Sequence, residues 1–307
     1  MDSQLEMLPG NQLRNMVAMR TRWGLWFLLG LIAFVGLHLS IGMGFLSTGT
    51  FFYLPAFGAI AIITVRSQSG SQNGAWNPKH WFQSLQQQWP VWGQWVMLAV
   101  IIAIGFGLRV YDLDFVPYDA DENTSLDAVK GILRTGAPEP ASKIWYTRGP
   151  FFHYMSALWL GLVGFSTYNA RLLIVLWGTA FLVVAFIFTR HITGKVWFAL
   201  LIAAVFAIDP LELWNSRNFR FYQPVQCLNL LVVWLFCKAF IDRADKRYQY
   251  AFFVALTAAL LHQEVSVTLL PGLLLGFIFF YRPFNWFADR PIIIGSFMVM
   301  SIYIYNG

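Results

Sequence analysis

Residues 172–189 have the sequence LLIVLWGTAFLVVAFIFT, which contains no charged side chain and lies between Arg171 and Arg190. An α-helix rises about 1.5 Å per residue, so a helix over this run is roughly 27 Å long, close to the ~30 Å hydrocarbon thickness of a bilayer. The run is continuously apolar and does not alternate with polar residues as the strands of a membrane barrel do. It therefore predicts a transmembrane helix.

Similar runs dominate the composition of the chain. Of its 307 residues, 58% are hydrophobic, 18% aromatic and only 12% charged, whereas a soluble domain has about 25% charged residues. So few charges cannot cover a water-facing surface, which excludes an ordinary soluble enzyme. We predict an all-α polytopic membrane protein with about nine transmembrane helices, in contact with membrane lipids. The net charge of +6 is attributed to cytoplasmic loops, so no nucleic-acid partner is expected.

Charged residues separate the predicted spans and divide the chain into segments. Residues 1–66 are predicted to hold two transmembrane helices, at 23–46 and 50–65, and 67–92 a cytoplasmic linker. A seven-helix core is expected over 93–281, including an outer loop at 111–170, and 282–307 should form a final helix of an incomplete C-terminal region. The uncharged runs that predict the later spans are 89–108, 172–189, 196–208, 221–237, 248–263, 265–281 and 291–307.

One more uncharged run, 149–170, decides the topology, because cytoplasmic loops carry an excess of Lys and Arg. If this run does not cross the membrane, every basic cluster falls on one side, and if it crosses, the clusters at 190–195 and 238–247 move to the other side. We therefore expect 151–165 to lie in the interface or to re-enter. The N-terminus is then cytoplasmic, and the outer loop 111–170 is extracytoplasmic.

An acidic group follows the third predicted span. Asp119, Asp121 and Glu122 precede a stretch in which apolar residues recur at helical spacing, so an amphipathic helix is predicted at 123–135, ended by Gly136. Asp121 and Glu122 would lie at its N-terminus, where the helix dipole favours ionised carboxylates. Such groups suit a general base or a cation ligand. The competing interpretation is that Asp121 only caps the helix and Glu122 is a surface residue.

Arg217 and Arg220 lie three residues apart and are predicted to face the same compartment from one helical turn. They suit the binding of a phosphate, or alternatively the anchoring of lipid headgroups. Asp209 and Glu212 are costly near hydrocarbon unless they have a partner or a purpose. They either pair with the arginines or form a metal site together with Asp121.

His262 and Glu264 interrupt two predicted spans on the same side. They form either a polar turn or, with Asp119, a further part of a polar pocket.

Taken in order, these elements resemble the GT-C superfamily of polyprenyl-phosphate-dependent glycosyltransferases, in particular the branch of protein O-mannosyltransferases and lipid A aminoarabinose transferases. The resemblance covers residues 93–281. It implies transfer of a sugar from a polyprenyl-phosphate donor to an acceptor on the outer side, with inversion at the anomeric carbon. The elements that carry it are Asp121-Glu122, Arg148-Gly149-Pro150 continuing to Tyr154, Asn169-Ala170-Arg171-Leu172 and Trp214-Asn215-Ser216-Arg217.

The resemblance also implies roles for individual residues. Asp121 matches the catalytic base, and Glu122 would orient the acceptor. Arg217, with Arg148 and Arg220, would neutralise the departing lipid phosphate, a task suited to preorganised cations. Some members of the superfamily need a divalent metal and others do not, so the cofactor is left open.

Two other functions remain open at this stage. One is a non-catalytic subunit of a larger complex, with other membrane subunits as partners, and the other is a transporter of a lipid-linked sugar. A transporter should place polar residues in the middle of several spans, whereas here the ionisable residues gather at one end. Transport is therefore the weaker alternative.

The predicted topology is testable by labelling. Cysteines introduced at Gly194 and Asp245 should react with a membrane-impermeant thiol reagent only when the cytoplasmic side is accessible, because both positions adjoin basic clusters. A cysteine at Asp127, in the outer loop, serves as the control and should react in intact cells. Labelling of position 194 or 245 from outside would contradict this topology.

Overall fold

The computed structural model describes residues 91–139, 146, 148–242, 244–280 and 290–306. All regular elements in these segments are helical, as the composition predicts, and they contain no strand. The two helices predicted at 23–46 and 50–65, and nearly all of the linker 67–92, lie outside the described residues.

Ten α-helices are described, and two short irregular helical segments join some of them. A π-helical segment, Cys237–Ile241, continues the seventh helix, and a 3-10 segment, Glu264–Thr268, precedes the ninth. The α-helices are α1 Val91–Val110, α2 Ala120–Thr135, α3 Pro150–Val163, α4 Thr167–Thr193, α5 Val196–Ile208, α6 Pro210–Arg217, α7 Tyr222–Phe236, α8 Lys246–His262, α9 Leu269–Phe280 and α10 Arg290–Asn306.

Three of the described helices are long and apolar enough to cross a membrane: Trp92–Val110, Thr167–Thr193 and Tyr222–Ile241. Helices α5 and α6 make a fourth span if they are counted together, although they are bent by 61° at their junction. Two shorter apolar helices follow, at Glu264–Phe277 and Arg290–Ser301. The prediction of about nine spans is thus not confirmed, although each predicted run within the described residues is helical.

Helix α4 is the central element of the described fold. Its first half packs against α2, α3 and the start of α7 through a cluster that includes Leu126, Phe152 and Ile174. Its second half packs against α1 and α5 through a second cluster that includes Leu98, Leu182 and Ala203. One helix therefore carries two cores, and its two ends lie at opposite ends of the bundle.

The break between α5 and α6 has a clear local cause. Pro210 lacks a backbone N–H and cannot continue the preceding helix, but it is favoured at the first position of a new one. Asp209 caps this new helix, since its carboxylate accepts from the Glu212 backbone N–H at 2.9 Å. Asp209 and Glu212, which follow the predicted span 196–208, lie at this bend.

Arg109 of the neighbouring helix α1 stabilises the break between α5 and α6. Its side chain is fully buried and donates to the carbonyls of Phe206 and Ala207, each at 3.0 Å. It also donates to Ser216 Oγ in α6 at 3.0 Å. The last carbonyls of a helix have no partner within that helix. The Arg109 guanidinium therefore donates hydrogen bonds to the C-terminal carbonyls of α5 and also holds α6 beside it.

Gly178 in α4 is needed at this crossing. A Cβ at that position would lie 2.8 Å from Ser216 Cβ and 3.0 Å from Arg109 Nε. Gly178→Ala should therefore destabilise the protein by about 1–3 kcal/mol, the usual cost of overpacking a core, measured as a lower melting temperature in detergent. Gly107→Ala is the matched control, because a Cβ there meets nothing within 4 Å. Equal melting temperatures for the two variants would refute the close packing.

Candidate functional site

The best-connected ion pair of the described chain joins α2 to α4. Arg171 Nε donates to Glu122 Oε1 at 2.9 Å, and its Nη2 donates to Oε2 at 2.7 Å. The exposed fractions of the two residues are only 3% and 1%. A bidentate pair of this kind is among the stronger charge-assisted interactions in proteins.

The other partners of these two groups come from several parts of the chain. Glu122 also accepts from the backbone N–H of Phe219, at 2.6 Å, and from that of Asp119, at 3.2 Å. Arg171 also donates to the carbonyls of Leu113, Val116 and Pro117, at 2.7 to 3.3 Å. The pair therefore ties together the segment after α1, the start of α2, the start of α4 and the segment before α7.

Asp119, and not Asp121, caps helix α2. Its carboxylate accepts from the Glu122 N–H at 2.6 Å, and the Glu122 side chain returns the bond to the Asp119 N–H, which is a capping box. The helix thus starts at Ala120, three residues before the predicted start at 123. The alternative in which Asp121 is the cap and Glu122 a surface residue is incorrect in both respects, because Glu122 is buried.

Asp121 points away from this buried pair. Its side chain is 66% exposed, and Oδ2 lies 3.3 Å from Nη2 of Arg220. Arg220 also donates to the backbone carbonyl of Asp121, at 2.7 Å, and to Ser125 Oγ, at 3.0 Å. The structure therefore brings together an accessible carboxylate and a guanidinium whose own side chain is only 9% exposed.

Arg220 keeps one unused donor. Its Nε is buried and has no hydrogen-bond partner, and its guanidinium lies 4.8 Å from the ring centre of Phe221 and 5.6 Å from that of Tyr222. Stacked aromatic rings favour a cation without neutralising it. Only part of the binding capacity of Arg220 is thus taken by Asp121.

The other arginines are placed differently from the prediction. Arg217 is the last residue of α6, and Asn218 after it is extended, so Arg217 and Arg220 do not share a helical turn. Arg217 donates to the carbonyl of Asp112 at 3.1 Å, near the start of the outer loop. Arg148 is exposed just before α3.

Glu212 belongs to a separate buried group. It is 5% exposed and accepts from the side-chain amides of Gln223, at 3.4 Å, and Gln226. Neither Arg217 nor Arg220 pairs with it in the structure. Among the residues that the structure describes, no three His, Cys, Asp or Glu side chains are grouped so as to hold a metal ion, so the candidate set of Asp121, Asp209 and Glu212 is not assembled.

His262 ends α8 and is fully buried, whereas Glu264 is exposed. The His262 ring packs edge-on against Phe151, with 4.7 Å between ring centres. The backbone carbonyl oxygen of His262 would lie 2.6 Å from a Cβ placed on Gly149. Gly149, which has a φ of 60° and starts α3, is therefore required both for its left-handed conformation and for its small size.

His153 lies in the first turn of α3 and is also fully buried. Burial lowers the pKa of His153 to about 4, and the nearby Arg220 cation acts in the same direction. The ring is therefore neutral. Its Nδ1 lies 2.9 Å from the Gly149 carbonyl and must donate to it, which leaves Nε2 as an acceptor without a partner.

Sequence reasoning overlooked the side chains that position this site. Arg171 is part of a quoted motif but received no role, and Arg109, Gln223 and Gln226 were not considered. The available signal was their position, since Gln223 and Gln226 lie within an apolar run and Arg109 and Arg171 lie directly at the end of one, where a polar side chain requires a partner. The identity of that partner depends on packing between distant parts of the chain.

The fold and the long apolar helices define the class of the protein, an integral membrane protein of helical architecture. The chain is similar to the crystal structure of ArnT from Cupriavidus metallidurans bound to undecaprenyl phosphate, with a TM-score of 0.54 and 16% sequence identity. The match covers 69% of this chain and 41% of that one, so this chain spans well under half the length of the ArnT structure. At this identity the similarity is to the fold of that structure, and it does not test the branch of the superfamily that the sequence predicts.

No family model matches the sequence, and no curated protein matches it. The similarity is thus one of fold.

Breaking the Glu122–Arg171 pair should unfold the site. Removing one partner of a buried ion pair costs about 3–5 kcal/mol, because the other charge stays buried. Glu122→Gln should therefore lower the melting temperature strongly. Asp121→Asn is the matched control and should have a small effect, since its carboxylate is 66% exposed.

The double variant Glu122→Gln with Arg171→Met separates the pair from other effects. If the two groups act as a unit, the double variant loses less stability than the sum of the single variants. Simple additivity of the melting-temperature changes would argue against a direct interaction.

Proposed function

We propose that the protein is an integral membrane glycosyltransferase that moves a sugar from a polyprenyl-phosphate donor to an acceptor on the extracytoplasmic side. One observation carries the proposal: the accessible carboxylate of Asp121 lies 3.3 Å from the buried guanidinium of Arg220. A carboxylate beside a cation suits a reaction in which a proton is removed on one side and an anion departs on the other. The ArnT structure, which has a similar fold, is bound to undecaprenyl phosphate.

Asp121 is the proposed general base. It lies in the first turn of α2, and its 66% exposed side chain lets an acceptor reach it. Its neighbour Glu122 is engaged by four donors from Arg171, Phe219 and Asp119. We therefore assign Glu122 to positioning the helix rather than to contact with the acceptor.

Arg220 is the proposed main ligand of the donor phosphate. Its Nε is unpaired, and its guanidinium lies against the rings of Phe221 and Tyr222. Both features leave the guanidinium able to bind an anion. Arg217, next to the outer loop, and the exposed Arg148 supply further cations in the proposed site. When the phosphate binds Arg220, the ion pair between Arg220 and Asp121 weakens. The Asp121 carboxylate can then accept the proton.

The proposed reaction is a single displacement. The acceptor oxygen forms a bond to the anomeric carbon while the bond from that carbon to the phosphate oxygen breaks. The bonding electron pair leaves with the polyprenyl phosphate, next to the arginines, and the acceptor proton passes to Asp121. Attack from the side opposite the phosphate inverts the anomeric carbon.

Asp121→Asn should abolish transfer from a radiolabelled polyprenyl-phosphate sugar, assayed in membranes that contain the acceptor. Loss of a general base lowers the rate by about 10²–10⁴-fold. Asp127→Asn is the matched control: Asp127 lies on the same helix, its side chain is 48% exposed, and among the described residues it pairs with Lys130 alone. This variant should retain activity.

Equal activity of Asp121→Asn and the wild type, with both folded, would refute the proposal. If the wild type transfers no sugar and co-purifies with stoichiometric membrane partners, the non-catalytic subunit is the correct alternative.

Arg220→Lys should raise KM for the donor more than it changes kcat, because it keeps the charge but loses the fork of donors.

A further inference from the structure

A pocket lies at the end of the helix bundle opposite the candidate site. It has a volume of about 400 Å³ and is lined by Trp95, Phe186, Ile187, Arg190, Trp234 and Lys238, together with His191. We call it the distal pocket. Trp95 lies near the start of α1, Arg190 near the end of α4 and Lys238 just after α7.

The distal pocket is remote from the candidate catalytic site along all three helices. Arg109 and Arg171 lie at the opposite ends of α1 and α4, and Arg220 precedes α7. On α4, Arg171 and Arg190 are 19 positions apart, which is about 28 Å along the helix at 1.5 Å per residue. The distal pocket therefore has no part in the proposed sugar transfer.

The charges of the pocket do not cancel. Lys238 Nζ lies 3.1 Å from Asp242 Oδ2, and His191 Nε2 lies 3.3 Å from the same oxygen. Arg190 is half-buried and lies 5.9 Å from the ring centre of Trp95, and no carboxylate of the described residues lies within ion-pair distance of it. Arg190 and Lys238 are two cations and Asp242 is one carboxylate, so the pocket carries an excess positive charge.

The remaining walls of the pocket are apolar and aromatic. Phe186 packs against Trp95, with 6.1 Å between ring centres, and Ile187 is 36% exposed beside it. The side chain of Trp234 adds an indole N–H that has no hydrogen-bond partner. Cations beside an apolar wall at the end of membrane helices match an anionic ligand with hydrocarbon chains.

We propose that the distal pocket binds the phosphodiester headgroup of an anionic membrane lipid. Arg190 binds the phosphate, Lys238 and Trp234 flank it, and the acyl chains follow Phe186 and Ile187 along α4. The phosphodiester is an anion, which suits the excess positive charge of Arg190 and Lys238 over Asp242. The volume of about 400 Å³ is within the range of small-ligand sites.

The test uses the purified full chain in detergent and native mass spectrometry. Wild-type protein is titrated with phosphatidylglycerol and, in parallel, with phosphatidylcholine, which carries no net charge. We expect phosphatidylglycerol to bind the wild type about tenfold more tightly than Arg190→Gln, as the loss of one charge-assisted phosphate contact predicts. Phosphatidylcholine should bind both proteins equally weakly.

Arg247→Gln is the matched control. It removes the same charge near the same end of the bundle, but the Arg247 side chain is 92% exposed and does not line the pocket. This variant should bind phosphatidylglycerol as the wild type does. If Arg190→Gln does not fold, Lys238→Gln takes its place and should weaken binding severalfold.

Three results would overturn the proposal. The first is equal affinity of the wild type and the pocket variant for phosphatidylglycerol. The second is binding of phosphatidylcholine as tight as that of phosphatidylglycerol. The third is displacement of the lipid by millimolar inorganic phosphate, which would assign the pocket to a soluble phosphate and not to a lipid headgroup.

Discussion

The buried ion pair between Glu122 and Arg171 organises the candidate site. Taking two charges out of water is expensive, and their attraction repays the cost only if the geometry is good and the other lone pairs and protons are also satisfied. Here both conditions hold, because the carboxylate accepts two further backbone N–H groups and the guanidinium donates to three carbonyls. Four segments of the chain are therefore held in one arrangement.

This constraint explains why two adjacent carboxylates have different roles. Successive residues of an α-helix point about 100° apart, so when Glu122 turns inward to Arg171, Asp121 must turn outward. The same arrangement brings the segment 218–221 against the start of α2, since the Phe219 N–H donates to Glu122. Arg220 follows directly and reaches Asp121. The proposed catalytic pair thus depends on a neighbouring pair that takes no part in the chemistry.

Much of the helical architecture is predictable from the sequence. The uncharged run 196–208 corresponds to α5 residue for residue, and 172–189 lies within α4, because a continuous apolar run has no alternative but to be buried or to face lipid. The ends were less predictable. Helix α2 starts at Ala120 because Asp119 caps it, and Arg217 and Arg220 are separated by an extended residue, neither of which hydrophobic periodicity reveals.

Local composition and spacing are enough to predict that the described chain is helical, where its apolar helices lie, and which short acidic and basic segments hold candidate site residues. Three other features depend on packing between distant segments: the burial of Glu122 against Arg171, the contact of Asp121 with Arg220, and the hydrogen bonds of Arg109 to the end of α5. Each of these contacts joins residues 49 or more positions apart, and no local pattern specifies which distant group will satisfy a buried charge.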